Sequence, residues 1–124
     1  MKEHDAAARR PRILVSEDEF LVYLVLEDEL RAEGYDVLGP FNSLEATREA
    51  LAQEDIDLVL LDINMGGSMA WPIADELVSR NVPFIFLSGY AAETLPERYR
   101  NIPRVGKPYD PILLQREIRR LICQ

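Results

Sequence analysis

Apolar positions fall along the chain in blocks of two kinds. "RILVS" (residues 12–16), "DVLGP" (36–40), "DLVLL" (57–61), "PFIFLS" (83–88) and "IPRVG" (102–106) are short apolar runs, too compact for helices, and read as strands. Between them lie stretches in which apolar residues recur among charges. "EDEFLVYLVLEDELRAEGYD" (17–36) carries Phe20, Leu24 and Leu30 and ends at Gly34, a natural helix stop. Asn42 or Ser43 can cap a helix through about Gln53, with Leu44, Ala50 and Leu51 inward. "AWPIADELVSR" (70–80) reads as a helix and "ETLPERY" (93–99) as a weak, proline-containing one. "DPILLQREIRRLI" (110–122) is strongly amphipathic, with Leu114, Ile118 and Leu121 on one face.

Strands alternating with helices, several of the strands apolar throughout, predict an α/β fold: a doubly wound, five-stranded parallel sheet with helices on both faces. The chain carries no internal repeat, low-complexity tract or linker. Residues 1–11, polar and rich in Ala and Arg, predict a flexible N-terminal tail, and residues 12–123 a single domain.

Composition narrows the class. With 124 residues, 48% of them hydrophobic, the chain suits one compact core. A net charge of -8 and a pI near 4.6 argue against direct nucleic-acid binding, which needs a basic face. The single cysteine, Cys123, makes no internal disulfide, and with His4 it makes no zinc ligand set. No apolar run reaches the roughly 18–20 residues of a membrane span, and the start "MKEHDAAARRPR" lacks a signal-peptide core. The expected setting is cytoplasmic, without membrane insertion.

In open parallel sheets, ligands sit beyond the carboxyl ends of the strands. The residues there are Ser16, Glu17 and Asp18 after the first strand, Asp62 and Asn64 after the third, Ser88 and Gly89 after the fourth, and Lys107 and Pro108 after the fifth. Asp62 follows four consecutive apolar residues, where a carboxylate is costly unless something pairs with it. Glu17, Asp18 and Asp62 converge at one edge, and like charges that close cannot all stay ionised without a cation. Mg²⁺ (or Mn²⁺) answers this, since it takes oxygen ligands and needs only one or two protein carboxylates. Asp18 and Asp62 would bind it directly, Glu17 through water, and the Asn64 backbone carbonyl would add an oxygen. A carboxylate beside such an ion can attack phosphorus to give an aspartyl phosphate, with the Lys107 charge and the Ser88 hydroxyl meeting the phosphoryl oxygens. Gly66 and Gly67 leave room for the group. Taken singly, each residue has a plainer role: Glu17 and Asp18 as complements of a helix dipole, Asp62 and Ser88 as turn formers, Lys107 as a solvated charge. Their placement together on one edge favours a shared site. Trp71, Met65 and Met69 read as packing residues.

The acidic pair in "VSEDEF", the aspartate of "LLDINM", "FLSGY" and "GKPYD" occur in order across roughly 110 residues, and together they resemble the receiver domain of two-component response regulators. The resemblance implies the CheY-like, flavodoxin-like strand order 2-1-3-4-5. It further implies Asp62 as phosphoacceptor, Glu17 and Asp18 as metal-site acids, Ser88 as switch hydroxyl, Lys107 as phosphate-contacting lysine, and a cis Lys107–Pro108 bond aiming that lysine. "DINMGG" with "VPFIFLSGY" resembles the stand-alone alphaproteobacterial receivers named for a Pro-Phe-x-Phe-Ala-Thr-Gly-Tyr signature, and related receivers fused to hybrid histidine kinases. Two departures stand out. Gly66 replaces a proline common four residues after the phosphoacceptor, and Arg104 replaces an aromatic common three residues before the lysine. Arg104 is expected to stay near solvent or to pair with an acid such as Glu93, with Ser88 and Tyr90 carrying the switch and the segment around Leu95 and Pro96 responding.

The function so implied is a phosphoacceptor signalling module, a switch whose only chemistry is its own phosphorylation and dephosphorylation. Its partners would be a histidine kinase or phosphotransfer protein and a downstream protein that reads the face formed by residues 93–122, the chain being a monomer or weak dimer. A start at Met1 and an end after the last helix suggest that no output domain is present. The alternatives are a receiver excised from a hybrid kinase, a phosphate sink, a receiver that binds without phosphorylation, and an Asp-nucleophile phosphohydrolase. The last commonly carries a second Asp where this chain has Asn64.

Overall fold

The computed structural model describes residues 10–89, 95–107 and 109–122. Five strands form one parallel sheet: β1 (Arg12–Ser16), β2 (Asp36–Phe41), β3 (Leu58–Asp62), β4 (Phe84–Ser88) and β5 (Arg104–Gly106). Their spatial order is β2-β1-β3-β4-β5, the order implied by the resemblance. Helices α1 (Phe20–Ala32), α2 (Leu44–Gln53), α3 (Trp71–Ser79) and α4 (Pro111–Ile122) cover the two faces. Among the described residues no helix is long and apolar enough to cross a membrane. The expected tail falls outside the described residues as far as residue 9, as does Cys123.

Alternation along the buried strands sends successive side chains to opposite layers. Ile13, Val15, Leu58, Leu60, Ile85 and Leu87 pack with Tyr23, Leu26 and Leu30 of α1 and Leu114 and Ile118 of α4. Leu14, Val59, Leu61, Phe84 and Phe86 pack with Ala50 and Leu51 of α2 and Ile73, Ala74 and Leu77 of α3. Of the apolar residues that mark α1 in the sequence, Leu30 is buried, while Phe20 is 60% and Leu24 41% exposed. The inward stripe is Tyr23, Leu26 and Leu30, spaced three and four residues apart.

Local chemistry sets the element ends. The Ser43 hydroxyl accepts the Ala46 N–H at 3.1 Å and starts α2, and Asp110 accepts the Ile112 N–H at 3.0 Å at the start of α4. Pro72 sits in the first turn of α3, where a missing N–H costs nothing. Gly39 has φ +144, and a Cβ there would lie 2.8 Å from the Val15 carbonyl oxygen. This close approach coincides with the register shift between β1 and β2. Beyond Asp62 the chain forms a feature absent from the sequence reading, a two-residue ladder of Asn64–Met65 with Ser68–Met69. Gly66 (φ 60) and Gly67 (φ 89) turn it, both central positions requiring the left-handed region that glycine reaches freely.

Where the sequence predicts a weak helix over 93–99, the described part is a single 3-10 turn, Glu97–Tyr99, following Pro96. Pro96 lacks an N–H and cannot sit inside a helix. The turn is held by its side chains. Tyr99 is 1% exposed, stacks on Trp71 with centroids 5.4 Å apart and meets Phe86 edge-on at 5.5 Å. Its hydroxyl reaches the Asp75 carboxylate and, at 3.1 Å, the Trp71 carbonyl, and Arg98 pairs with Asp75 at 2.9 Å. Trp71 thus packs as the sequence suggested, and Met65 is buried, but Met69 is 36% exposed.

Because Tyr99 fills the space between α3 and β4, Tyr99→Ala is expected to lower unfolding free energy by about 3–5 kcal/mol, the range for emptying a large aromatic site. Urea unfolding followed by far-UV circular dichroism measures it; a loss below about 1 kcal/mol would contradict the anchoring role.

Candidate active site at the carboxyl edge of the sheet

The strand order lines up the carboxyl ends of β1, β3, β4 and β5 as neighbours. Each end delivers a polar residue: Glu17 after β1, Asp62 closing β3, Ser88 closing β4 and Lys107 after β5. Backbone bonds carry the pairing past the strands and fix these positions. The Glu17 N–H donates to the Phe41 carbonyl at 3.0 Å, the Ile63 N–H to the Leu87 carbonyl at 3.0 Å, and the Lys107 N–H to the Ser88 carbonyl at 2.8 Å. Beneath the edge, Ser16 and Thr47 are fully buried. The Thr47 hydroxyl donates to the Ser43 carbonyl at 2.8 Å. The Ser16 hydroxyl lies 2.8 Å from Thr47 Oγ1 and 3.2 Å from Met65 Sδ. A hydroxyl has one proton, so with Thr47 committed to Ser43 it is Ser16 that donates to Thr47. This bond ties β1 to α2, and the Met65 sulfur of the hairpin, left without that proton, meets the Ser16 oxygen by packing alone.

The three acids predicted to converge do so: carboxylate oxygens of Glu17, Asp18 and Asp62 lie within 4.8 Å of one another. Glu17 and Asp62 are buried and Asp18 is exposed. Lys107 Nζ reaches into the cluster, 3.0 Å from both Glu17 oxygens and 3.1 Å from Asp62 Oδ2. It also lies 3.0 Å from Glu19 Oε1, so the three N–H groups of the ammonium face three carboxylates. Glu17 accepts two further bonds, from the Glu19 N–H at 3.0 Å and the Tyr109 hydroxyl at 2.9 Å. Asp18 Oδ2 accepts the Gly66 N–H at 3.1 Å, bringing the hairpin tip against the acids.

Burial, reinforced by the Glu17 charge, pushes the Asp62 carboxyl up to about 7, against the pull of Lys107. For Lys107 burial opposes the charged form, but the hydrogen bond to Glu17 and the charge of Asp62 outweigh it, holding the ammonium above the usual lysine range. Burial and the Glu17 charge likewise hold the Tyr109 hydroxyl protonated, a permanent donor. The neighbourhood therefore sets Glu17, Asp18, Glu19 and Asp62 against one ammonium. An all-oxygen, electron-rich donor set with excess negative charge is the chemistry that suits a hard divalent cation.

The other predicted residues are placed as follows. Ser88 is buried at the end of β4, one residue beyond the partner of Asp62 in the ladder. Asn64 is exposed on the hairpin, and its side-chain oxygen accepts the Gly67 N–H at 3.0 Å. Arg104 is exposed on β5, as expected. Tyr90 and the Lys107–Pro108 bond lie outside the described residues. Sequence reasoning missed Glu19 and Tyr109. The acidic run "EDE" and the tyrosine two positions after Lys107 were visible, but nothing local says that either turns back to the edge. It also missed Tyr99, whose ring lies against the β4 aromatic Phe86 that pairs with Arg104.

Comparison with known proteins agrees with this geometry. The chain is 33% identical to the transcriptional regulatory protein PdtaR of Mycobacterium tuberculosis over 98 residues, which cover 78% of this chain but only 47% of PdtaR. It superposes on the PhyR response regulator REC domain of Erythrobacter litoralis with a TM-score of 0.81 and 30% identity, covering 95% of this chain and 94% of that one. The response regulator protein TrrA of Thermotoga maritima, solved in complex with Mg²⁺-BeF, gives a TM-score of 0.75 at 27% identity, covering 90% and 98%. Residues 13–116 match the response regulator receiver domain, and the chain belongs to that family.

Proposed function

We propose that Asp62 accepts a phosphoryl group from the phosphohistidine of a kinase or phosphotransfer protein, making the chain a phosphorelay switch. The observation that carries this reading is the buried Asp62 carboxylate gathered with Glu17 and Asp18 and held 3.1 Å from Lys107. In the transfer, an Asp62 oxygen forms the new bond to phosphorus as the bond to the donor imidazole breaks, and the imidazole nitrogen keeps the electron pair. No base is required from the protein once Asp62 is ionised, the form that a divalent cation would favour over the proton that burial holds there up to about pH 7. Lys107 favours its ionised form and carries the charge that would meet the phosphoryl oxygens, while Ser88 supplies a hydroxyl at the neighbouring strand end. Glu17, Asp18 and Asp62, with the Asn64 backbone carbonyl, would hold Mg²⁺ or Mn²⁺, which when bound neutralises the converging acids and phosphoryl oxygens. The Mg²⁺-BeF complex of TrrA supports that choice of ion.

A donor must cover the carboxyl edge to reach Asp62, and α1 offers it an apolar footing. Phe20, Leu21 and Val25 are exposed, and a groove of about 340 Å³ runs from Leu21, Val22 and Val25 to Lys107, Tyr109 and Pro111. Exposed apolar patches of this kind mark interaction surfaces, and we assign this one to the phosphodonor protein. The response would pass from Ser88 along β4 to Phe86 and, through its ring contact with Tyr99, to the 3-10 turn, which downstream partners would read.

Incubation with acetyl phosphate and Mg²⁺ is expected to add one acid-labile phosphoryl group, and Asp62→Asn to abolish it. Equal labelling of both proteins by intact mass would overturn the assignment. Mg²⁺ alone is expected to stabilise the folded state, by about 1.4 kcal/mol at ten times its dissociation constant, and Asp18→Ala to remove that gain. A melting temperature unmoved by excess Mg²⁺ would count against the metal site. Without divalent ions, the raised Asp62 pKa has a definite pH signature. The folded carboxyl holds its proton more tightly than the unfolded one, so between about pH 4 and pH 7 the folded state carries more protons and loses stability as pH rises. Asp62→Asn lacks this loss. It is expected to exceed the unsubstituted protein at pH 8 by on the order of 1–2 kcal/mol, with the difference shrinking below pH 5. Urea unfolding with chelator at both pH values tests this, and a less stable variant at pH 8 would refute it.

A further inference from the structure

We infer that Tyr109 is a positioning residue that orients Glu17 for divalent-cation binding, an inference that rests on the metal-site reading above. Glu17 is 1% exposed, and its two oxygens are surrounded: Oε1 by the Tyr109 hydroxyl at 2.9 Å and Lys107, Oε2 by the Glu19 N–H at 3.0 Å and Lys107. A carboxylate has about four lone-pair sites, and these contacts hold the group against rotation. Of the three partners, only Lys107 carries positive charge, so a divalent cation entering beside Glu17 competes with it electrostatically. The neutral donors, Tyr109 and the Glu19 amide, are then the ones that keep the carboxylate in place.

Tyr109 is suited to this because its two ends are differently tied. The ring packs on the core layer that contains Tyr23, Leu26 and Leu114, and it lines the α1 groove with Leu21, Val22 and Pro111. The hydroxyl meets Glu17 across 92 residues of sequence. A phenol held by its ring has no slack with which to follow a drifting acceptor, so it fixes the acceptor instead. The length of Glu17 matters equally: an aspartate, one methylene shorter, would withdraw the carboxylate from the hydroxyl. Hydrogen bonds that orient ligating groups commonly govern metal affinity by 10–100-fold.

The test is calorimetric titration of the whole chain with Mg²⁺ alone, with no phosphodonor present. Tyr109→Phe keeps the ring and its packing, and is expected to weaken Mg²⁺ binding about 10-fold. In a Glu17→Asp background, where the hydroxyl has no acceptor within reach, adding Tyr109→Phe is expected to change the affinity less than about twofold. Unchanged affinity in Tyr109→Phe, with normal binding by the unsubstituted chain, overturns the inference alone. An equal loss in both backgrounds also overturns it, since Tyr109 would then act through general packing. Failure of the unsubstituted chain to bind Mg²⁺ overturns the metal site and this inference together.

Discussion

The structure turns on one electrostatic problem, the burial of carboxylates beside one another at the edge of an apolar sheet. Glu17 and Asp62 are almost fully removed from solvent, where an unpaired charge would cost several kcal/mol. Lys107 answers for both, with contacts of 3.0 and 3.1 Å. One ammonium does not fully neutralise this neighbourhood, and the raised Asp62 pKa registers the remainder. That unsatisfied demand for positive charge is the physical ground for the cation and phosphoryl-donor roles proposed for this edge.

The fold and the site are consequences of the same arrangement. Parallel strands buried on both faces must be connected by helices and must all end at one edge, so order β2-β1-β3-β4-β5 brings four polar strand ends together. The two apolar layers then support that edge from both faces: α1 and α4 on one side, α2 and α3 on the other. What they leave uncovered differs between the faces. On α1 the outward residues are apolar and adjoin Lys107 and Tyr109. Near α3 an aromatic cluster of Trp71, Phe86 and Tyr99 clamps the short turn before β5.

Much of this was legible in the chain. The apolar runs "DLVLL" and "PFIFLS" became the fully buried β3 and β4, and of the two caps offered for α2, Asn42 or Ser43, it is Ser43 that caps it. Other points were not legible. Phe20 and Leu24 are as apolar as any core residue, yet α1 buries Tyr23, Leu26 and Leu30, because the angle at which a helix lies on a sheet selects its stripe. Pro96 limited the weak helix, but that Tyr99 would anchor its remnant depended on space between α3 and β4. The hairpin after Asp62 was hidden because two glycines signal a turn without naming the strands that pair across it.

By itself the sequence determined the α/β class, the positions of the strand ends and the identity of the residues presented there, because side-chain period and strand-end chemistry are local properties. It also carried the ordered motifs that mark the receiver family. Tertiary structure alone decided which donors those residues meet. Lys107 and Glu17 are 90 residues apart in sequence, and Tyr109 and Glu17 are 92. Such contacts exist only after the strands have assembled in order, since no local preference encodes a distance between two loops.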